Sequence, residues 1–141
     1  MLLIDVKGKL DQEEIVELLE YSVFPDPDAV AEAVKSYKEH SEFFLYGLEA
    51  EEEIVGIIGF ELRGGGELII RHLAVKPDAR GLGFGRGLIL ETIALKQPAK
   101  IVVETEEDAV DFYRAIGFEI VSLGEKVPGV ERFTCTYVTE V

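Results

Sequence analysis

Apolar and polar positions follow two different periods along this chain, and the switches between them predict its elements. Residues 2–8, LLIDVKG, read as a first strand. From Leu10 the period lengthens. Ile15, Leu18, Leu19 and Val23 share one stripe of a helix, with Asp11 as its expected N-cap and Glu13 and Glu14 in its first turn, where negative charge suits the helix dipole. Pro25 and Pro27 punctuate. A second helix is predicted over 26–40, with Val30, Ala33, Val34 and Tyr37 on one face. His40 stands at its C-terminal end, where a cation suits the dipole.

Strand patterns then take over. Residues 42–50 and 53–62 make a hairpin around an acidic turn at Glu51–Glu53. Gly64, Gly65 and Gly66 form another turn, and 67–75, ELIIRHLAV, is a long strand ended by Pro77. A helix over 85–96 is stopped by Pro98, and 100–106 is again a strand. In EDAVDFYRAIGF, Ala109, Phe112, Tyr113 and Ile116 fall on one side of a short helix, with Gly117 as the natural C′ residue. Two final strands are joined through Pro128-Gly129. The order βααβββαβαββ combines an antiparallel meander with a strand–helix–strand unit. That predicts an α/β (α+β) fold in a single layered domain over 1–141, with no repeat and no linker.

Composition narrows what such a domain does. At 141 residues and 48% hydrophobic, the chain is long and apolar enough for a real core. No apolar run approaches the 18 or so residues that cross a bilayer, the first residues lack the marks of a signal peptide, and Cys135 has no partner for an internal disulfide. A cytoplasmic location and no membrane partner are the expectation. Cys135 itself reads as a buried small apolar residue. With 14 basic and 28 acidic residues the net charge is −14, which argues against a nucleic-acid surface and suits a cationic substrate or plain solubility. Against this acidic background, Arg71, Lys76, Arg80 and Arg86 gather within sixteen positions, which points to an anion bound there.

The same place carries DARGLGFGRGLI, with Gly81, Gly83, Gly85 and Gly87 inside seven positions at the mouth of a helix. Each glycine costs about 0.5–1 kcal/mol relative to alanine in a regular element, so bare backbone must be needed. Several N–H groups without side chains in the way, added to a helix N-terminus, make a diphosphate site. The dinucleotide fingerprint G-x-G-x-x-G fails, because the third position is Arg86 or Leu88. A Walker A loop fails for want of any Gly-Lys-Ser or Gly-Lys-Thr. What remains is Arg80-Gly81-Leu82-Gly83-Phe84-Gly85, of the form R-x-x-G-x-G.

This stretch, within HLAVKPDARGLGFGRGLI, resembles motif A of the GNAT superfamily of acetyl-coenzyme A-dependent N-acetyltransferases. AVDFYRAIGFEIV resembles the A-x-x-x-Y-x-x-x-G-F element near the end of those domains, about thirty residues on. The element order is that of the family over essentially the whole chain. The resemblance implies a GNAT-like domain, with a mixed central sheet of about seven strands flanked by about four helices. It also implies acetyl transfer from acetyl-CoA to a primary amine by direct attack in a ternary complex, with no metal.

The resemblance assigns coenzyme binding to Arg80, Gly81, Leu82, Gly83, Phe84, Gly85 and Arg86. Backbone of Leu73, Ala74 and Val75 would meet the oxyanion, and Tyr113 would give the departing thiolate its proton. A lysine-like amine, with a pKa of about 10.4, must lose a proton before attack. His72, on the strand beside the acyl-binding backbone, is the candidate base; a strand histidine simply bonded to a neighbour is the equal alternative, and Glu67, Glu104 or water are others. Many relatives carry Asn seven residues before the tyrosine. Here Glu106 stands there, an acid where an anionic coenzyme is expected. Substrate choice in such domains lies in the N-terminal helices, here about 11–41. The acceptor could be a polyamine, an aminoglycoside, a lysine-like side chain or a protein N-terminus, and homodimers are common among relatives. A non-catalytic acyl-CoA sensor would keep the glycine cradle and make no use of Tyr113 or His72. A nucleotide-dependent oxidoreductase is disfavoured by the glycine spacing.

Overall fold

A computed structural model describes residues 2–23 and 27–139. Seven strands form one mixed sheet in the order β1-β2-β3-β4-β5-β7-β6, and four α-helices are present among the described residues. Its contacts cluster into two compact units, Met1–Leu62 with Arg71–Gln97, and Arg63–Ile70 with Pro98–Val141. The strand β4 (Glu67–Val75) contributes to both.

The first unit holds β1 (Leu2–Asp5), α1 (Glu13–Ser22), α2 (Pro27–Glu39), β2 (Phe43–Ala50), β3 (Glu53–Arg63, all but its last residue) and α3 (Phe84–Lys96). The predicted stripe of α1 is the buried one: Ile15, Leu18 and Leu19 are sealed from solvent and join Val6, Leu10, Ala33, Tyr37, Leu45, Ile57 and Ala74 in one apolar cluster. Each buried Leu, Ile or Val there stabilises the fold by about 1.5–3 kcal/mol. On α2, Ala33 and Tyr37 are buried while Val30 and Val34 are half-buried, as the pattern predicts. His40 lies just past α2 with its ring Nδ1 3.4 Å from Glu42. The β2–β3 hairpin closes through Glu51 and Glu52, both at positive φ (53° and 65°), the backbone of a two-residue turn that matches strand twist.

Two local expectations in this unit are corrected. The first strand stops at Asp5, because the Asp5 carboxylate accepts the Lys7 N–H at 2.9 Å and turns the chain into a short 3-10 segment. That turn runs on, with the Gln12 N–H bonded to the Lys9 carbonyl, and it displaces the start of α1. Gln12, not Asp11, is the N-cap, with no side-chain bond, and its carbonyl receives the Ile15 and Val16 N–H groups. The punctuation expected at Pro25 lies outside the described residues.

The second unit holds the start of β4, β5 (Lys100–Glu106), α4 (Glu107–Ala115), β6 (Glu119–Val127) and β7 (Val130–Val138). Leu68 and Ile70 pair with Ile101 and Val103 in a parallel ladder, so the chain between β4 and β5 is a crossover that carries the glycine stretch and α3. The helix α4 ends in a Schellman motif: the Phe118 N–H reaches the Tyr113 carbonyl at 3.0 Å, the Gly117 N–H reaches that of Arg114 at 3.2 Å, and Gly117 holds φ 101°. No helix among the described residues is long and apolar enough to cross a membrane.

Candidate functional site

The chemistry read from the sequence begins in the first unit, at the passage from β4 to α3. Pro77 opens a short 3-10 turn over Pro77–Ala79. Gly81 and Gly83 then take φ of 80° and 85°, a backbone that L side chains adopt only under strain. Gly83 is the N-cap of α3, its carbonyl accepts the Gly87 N–H at 2.9 Å, and no side chain caps the helix. A Cβ placed on Gly81 or Gly83 would have nothing within 4 Å. These glycines are therefore not forced by crowding from the protein's own atoms. They leave open space over main-chain amides at the positive end of a thirteen-residue helix, the arrangement that a diphosphate requires.

The basic residues around it divide into two pairs. Arg71 donates to both oxygens of the buried Glu61 carboxylate, at 3.1 and 3.3 Å, and Lys76 is paired with Glu53. Arg80 donates from Nε to the Val75 carbonyl at 3.1 Å while its guanidinium lies 5.8 Å over the Tyr21 ring. Arg86, exposed in the first turn of α3, makes no ion pair among the described residues. The positive charge left for an anion thus concentrates on Arg80 and Arg86, narrower than the sequence cluster suggested. Leu73, Ala74 and Val75 are the last residues of β4. The Ala74 carbonyl stands 2.8 Å from where a Cβ on Gly56 would sit, so Gly56 permits the two backbones to approach closely there.

Three residues before Val75, His72 is half-buried, and its Nδ1 lies 2.6 Å from the Tyr37 hydroxyl. Burial, helped by the neighbouring Arg71 charge, holds its imidazole down at about 4. Burial also pushes the Tyr37 phenol above its ordinary value, with Arg71 opposing. Sequence reasoning placed Tyr37 in the core but did not connect it to His72, thirty-five residues away. No signal in the sequence could have done so.

The depressed histidine has a consequence for stability. The unfolded chain takes up a proton at His72 as pH falls below its ordinary 6.5, while the folded chain resists until about 4. Between those values the unfolded state binds more protons, so stability present above pH 6.5 is lost as pH falls toward 4. Allowing for partial exposure, the loss is on the order of 2–3 kcal/mol. Urea unfolding at pH 7 and pH 4.5 is expected to show this drop in the wild type and a flatter response in His72→Gln. Equal pH dependence in both would contradict it.

In the second unit, Tyr113 is buried on α4, with its ring edge-on to Phe112 and Phe118 at centroid distances of 5.0 and 5.3 Å. Burial, together with Cys135, raises its phenol above the ordinary value. Its hydroxyl makes no hydrogen bond to another of the described residues. Glu106 accepts from Arg132 at 3.0 Å, and Arg132 also donates to Glu104 at 3.3 Å. Arg132 was not singled out from the sequence. It pairs with the acid that stands where many relatives carry Asn. The other candidate bases are likewise engaged: Glu67 lies 3.2 Å from Lys100 and 4.0 Å from Arg63, and Glu104 lies 4.0 Å from Lys126 as well as beside Arg132.

Comparison with known proteins identifies the family and the fold. A family described as "Acetyltransferase (GNAT) domain" matches residues 39–120, from the end of α2 to the start of β6. No protein of curated function matches the chain. Among solved structures, an aminoglycoside 6′-N-acetyltransferase complexed with coenzyme A superposes with a TM-score of 0.76 at 18% identity, over 98% of this chain and 97% of that one. The ribosomal-protein-S18-alanine N-acetyltransferase from Escherichia coli gives 0.75 at 13% identity, over 99% and 94%. A GNAT family acetyltransferase from Elizabethkingia anophelis with acetyl-CoA bound gives 0.66 at 17% identity, over 87% and 89%. At these identities the likeness is one of fold.

Proposed function

We propose, on the premise that this chain belongs to the GNAT acetyltransferase family, that it moves an acetyl group from acetyl-CoA to a primary amine by direct attack in a ternary complex. The observation that carries the reading is the open, uncapped helix start at Gly81–Gly83 with Arg80 and Arg86 beside it. Acetyl-CoA, the family's co-substrate, supplies an activated thioester when bound. Backbone amides from Gly81 to Arg86 would hold its diphosphate, and the end of β4 at Leu73, Ala74 and Val75 would meet the acyl oxygen. Tyr113, kept protonated by burial, would deliver a proton to the departing sulfur. Glu67 and Glu104 are each held by two cations, which leaves His72 or water to take the proton of the incoming ammonium.

The two named N-acetyltransferases of this fold support an amine acceptor, and a net charge of −14 supports a cationic one. The test is thiol release from acetyl-CoA across a panel of polyamines, aminoglycosides, lysine derivatives and peptides with free N-termini. At least one amine is expected to release thiol in step with its own acetylation. Coenzyme binding without thiol release for any amine would overturn the reading in favour of an acyl-CoA sensor.

A further inference from the structure

We infer that Tyr37 is a positioning residue that holds His72 as the Nε2–H tautomer, so that His72 enters the reaction as a hydrogen-bond donor and not as its base. The kinetic half of this inference rests on the acetyl-transfer reading above. The tautomer half rests on geometry within the first unit alone.

Tyr37 is sealed from solvent, and its hydroxyl meets His72 Nδ1 at 2.6 Å, with the two rings 5.5 Å apart between centroids. The approach is built into the sheet. A Cβ on Gly59 would lie 1.7 Å from the Tyr37 oxygen and 2.6 Å from Cζ, so only a glycine in β3 lets the hydroxyl reach that nitrogen. A phenol and an imidazole nitrogen share one hydrogen between them, in one of two senses. If Nδ1–H donated to the phenol oxygen, the phenol's own hydrogen would need a second acceptor, and none pairs with it among the described residues. A buried O–H would then be left unmet, a penalty that protein interiors avoid. If the phenol donates to Nδ1, both the buried phenol hydrogen and the Nδ1 lone pair are satisfied. The charges agree. Burial keeps the phenol protonated, and the Arg71 guanidinium, itself anchored on Glu61, keeps positive charge near an imidazole that stays neutral.

With the Nδ1 lone pair committed to Tyr37, the remaining proton sits on Nε2. That nitrogen then has no lone pair to take a proton from an ammonium. It has an N–H to offer. His72 is half-buried and three residues from the end of β4, so the donor stands on the strand assigned to the acyl group.

Two measurements decide the matter. In ¹⁵N-labelled protein at pH 7, long-range proton–nitrogen spectra should show His72 with a pyridine-type Nδ1 and a pyrrole-type Nε2, with His40→Gln identifying which of the two imidazoles is which. Tyr37→Phe, which keeps the ring, should mix the tautomers. A pyrrole-type Nδ1 in the wild type would overturn the inference whatever the enzyme's activity. In turnover, glutamine retains an N–H at the reach of Nε2 but has no basic nitrogen. His72→Gln is therefore expected to lose about fivefold, the worth of one imperfect hydrogen bond, while His72→Ala loses about tenfold more. Tyr37→Phe should lower kcat about fivefold and leave the KM for acetyl-CoA in place. Equal, severe losses in His72→Gln and His72→Ala would make His72 a base, and unchanged rates in both would remove it from the reaction. Either result sinks the inference while acetyl transfer by the wild type still stands. Absence of acetylation in the wild type would instead sink the function and leave the tautomer to the spectra.

Discussion

Tyr113→Phe is expected to turn over about 10²-fold more slowly than the wild type while binding acetyl-CoA equally well. The size follows from what the hydroxyl would do. A thiolate leaving group is helped by a proton delivered as the bond breaks. A phenol whose pKa is raised by burial carries that proton at every pH at which the enzyme would work. Removal of the oxygen alone leaves the packing intact. The ring stays wedged edge-on between Phe112 and Phe118, and because the hydroxyl has no hydrogen-bond partner among the described residues, its removal orphans none of them. Stability should therefore change by less than about 1 kcal/mol. A rate loss at constant melting temperature and constant coenzyme affinity would assign the proton to Tyr113. A rate within twofold of the wild type would withdraw that role and send the proton to solvent.

How legible the molecule was in its sequence depended on how local each cause is. β4 and β5 run over 67–75 and 100–106, as their patterns predict, because each is a dense apolar run cut by a nearby proline. The glycine loop was legible for the same reason: the features that matter, positive φ and an uncapped helix start, are written within seven residues. Expectations slipped where a side chain reached back to the chain. The Asp5 carboxylate ended β1 early, and the turn it began moved the start of α1 past Asp11. The connections among functional side chains were the least legible. His72 and Tyr37 meet only because Gly59 clears the way, and Glu106 meets Arg132 only because the register of β5 on β7 sets them opposite each other. A glycine in a strand and an arginine in a late hairpin carry no local sign of such duties. The resemblance to a family pointed to Tyr113 and named neither of these pairs.

Gly83→Leu is expected to cost the protein its coenzyme more than its fold. At φ 85° a leucine must adopt the left-handed backbone, which costs about 1–2 kcal/mol, but its side chain meets nothing within 4 Å of Cβ and so displaces no neighbour. The protein should remain folded, with a somewhat lower melting temperature. The new side chain would instead stand in the open space before the first turn of α3, where the diphosphate must approach the amides. Loss of two charge-assisted hydrogen bonds there weakens binding by at least about a hundredfold. Gly65→Leu is the matched control. Gly65 has φ 79° and equally open surroundings in the turn before β4, so it should carry the same strain and keep its affinity. Calorimetric titration with acetyl-CoA, alongside thermal unfolding of both variants, separates strain from obstruction. If Gly83→Leu bound acetyl-CoA as tightly as Gly65→Leu does, the diphosphate would have to be held elsewhere, and the reading of bare amides at the mouth of α3 would fall with it.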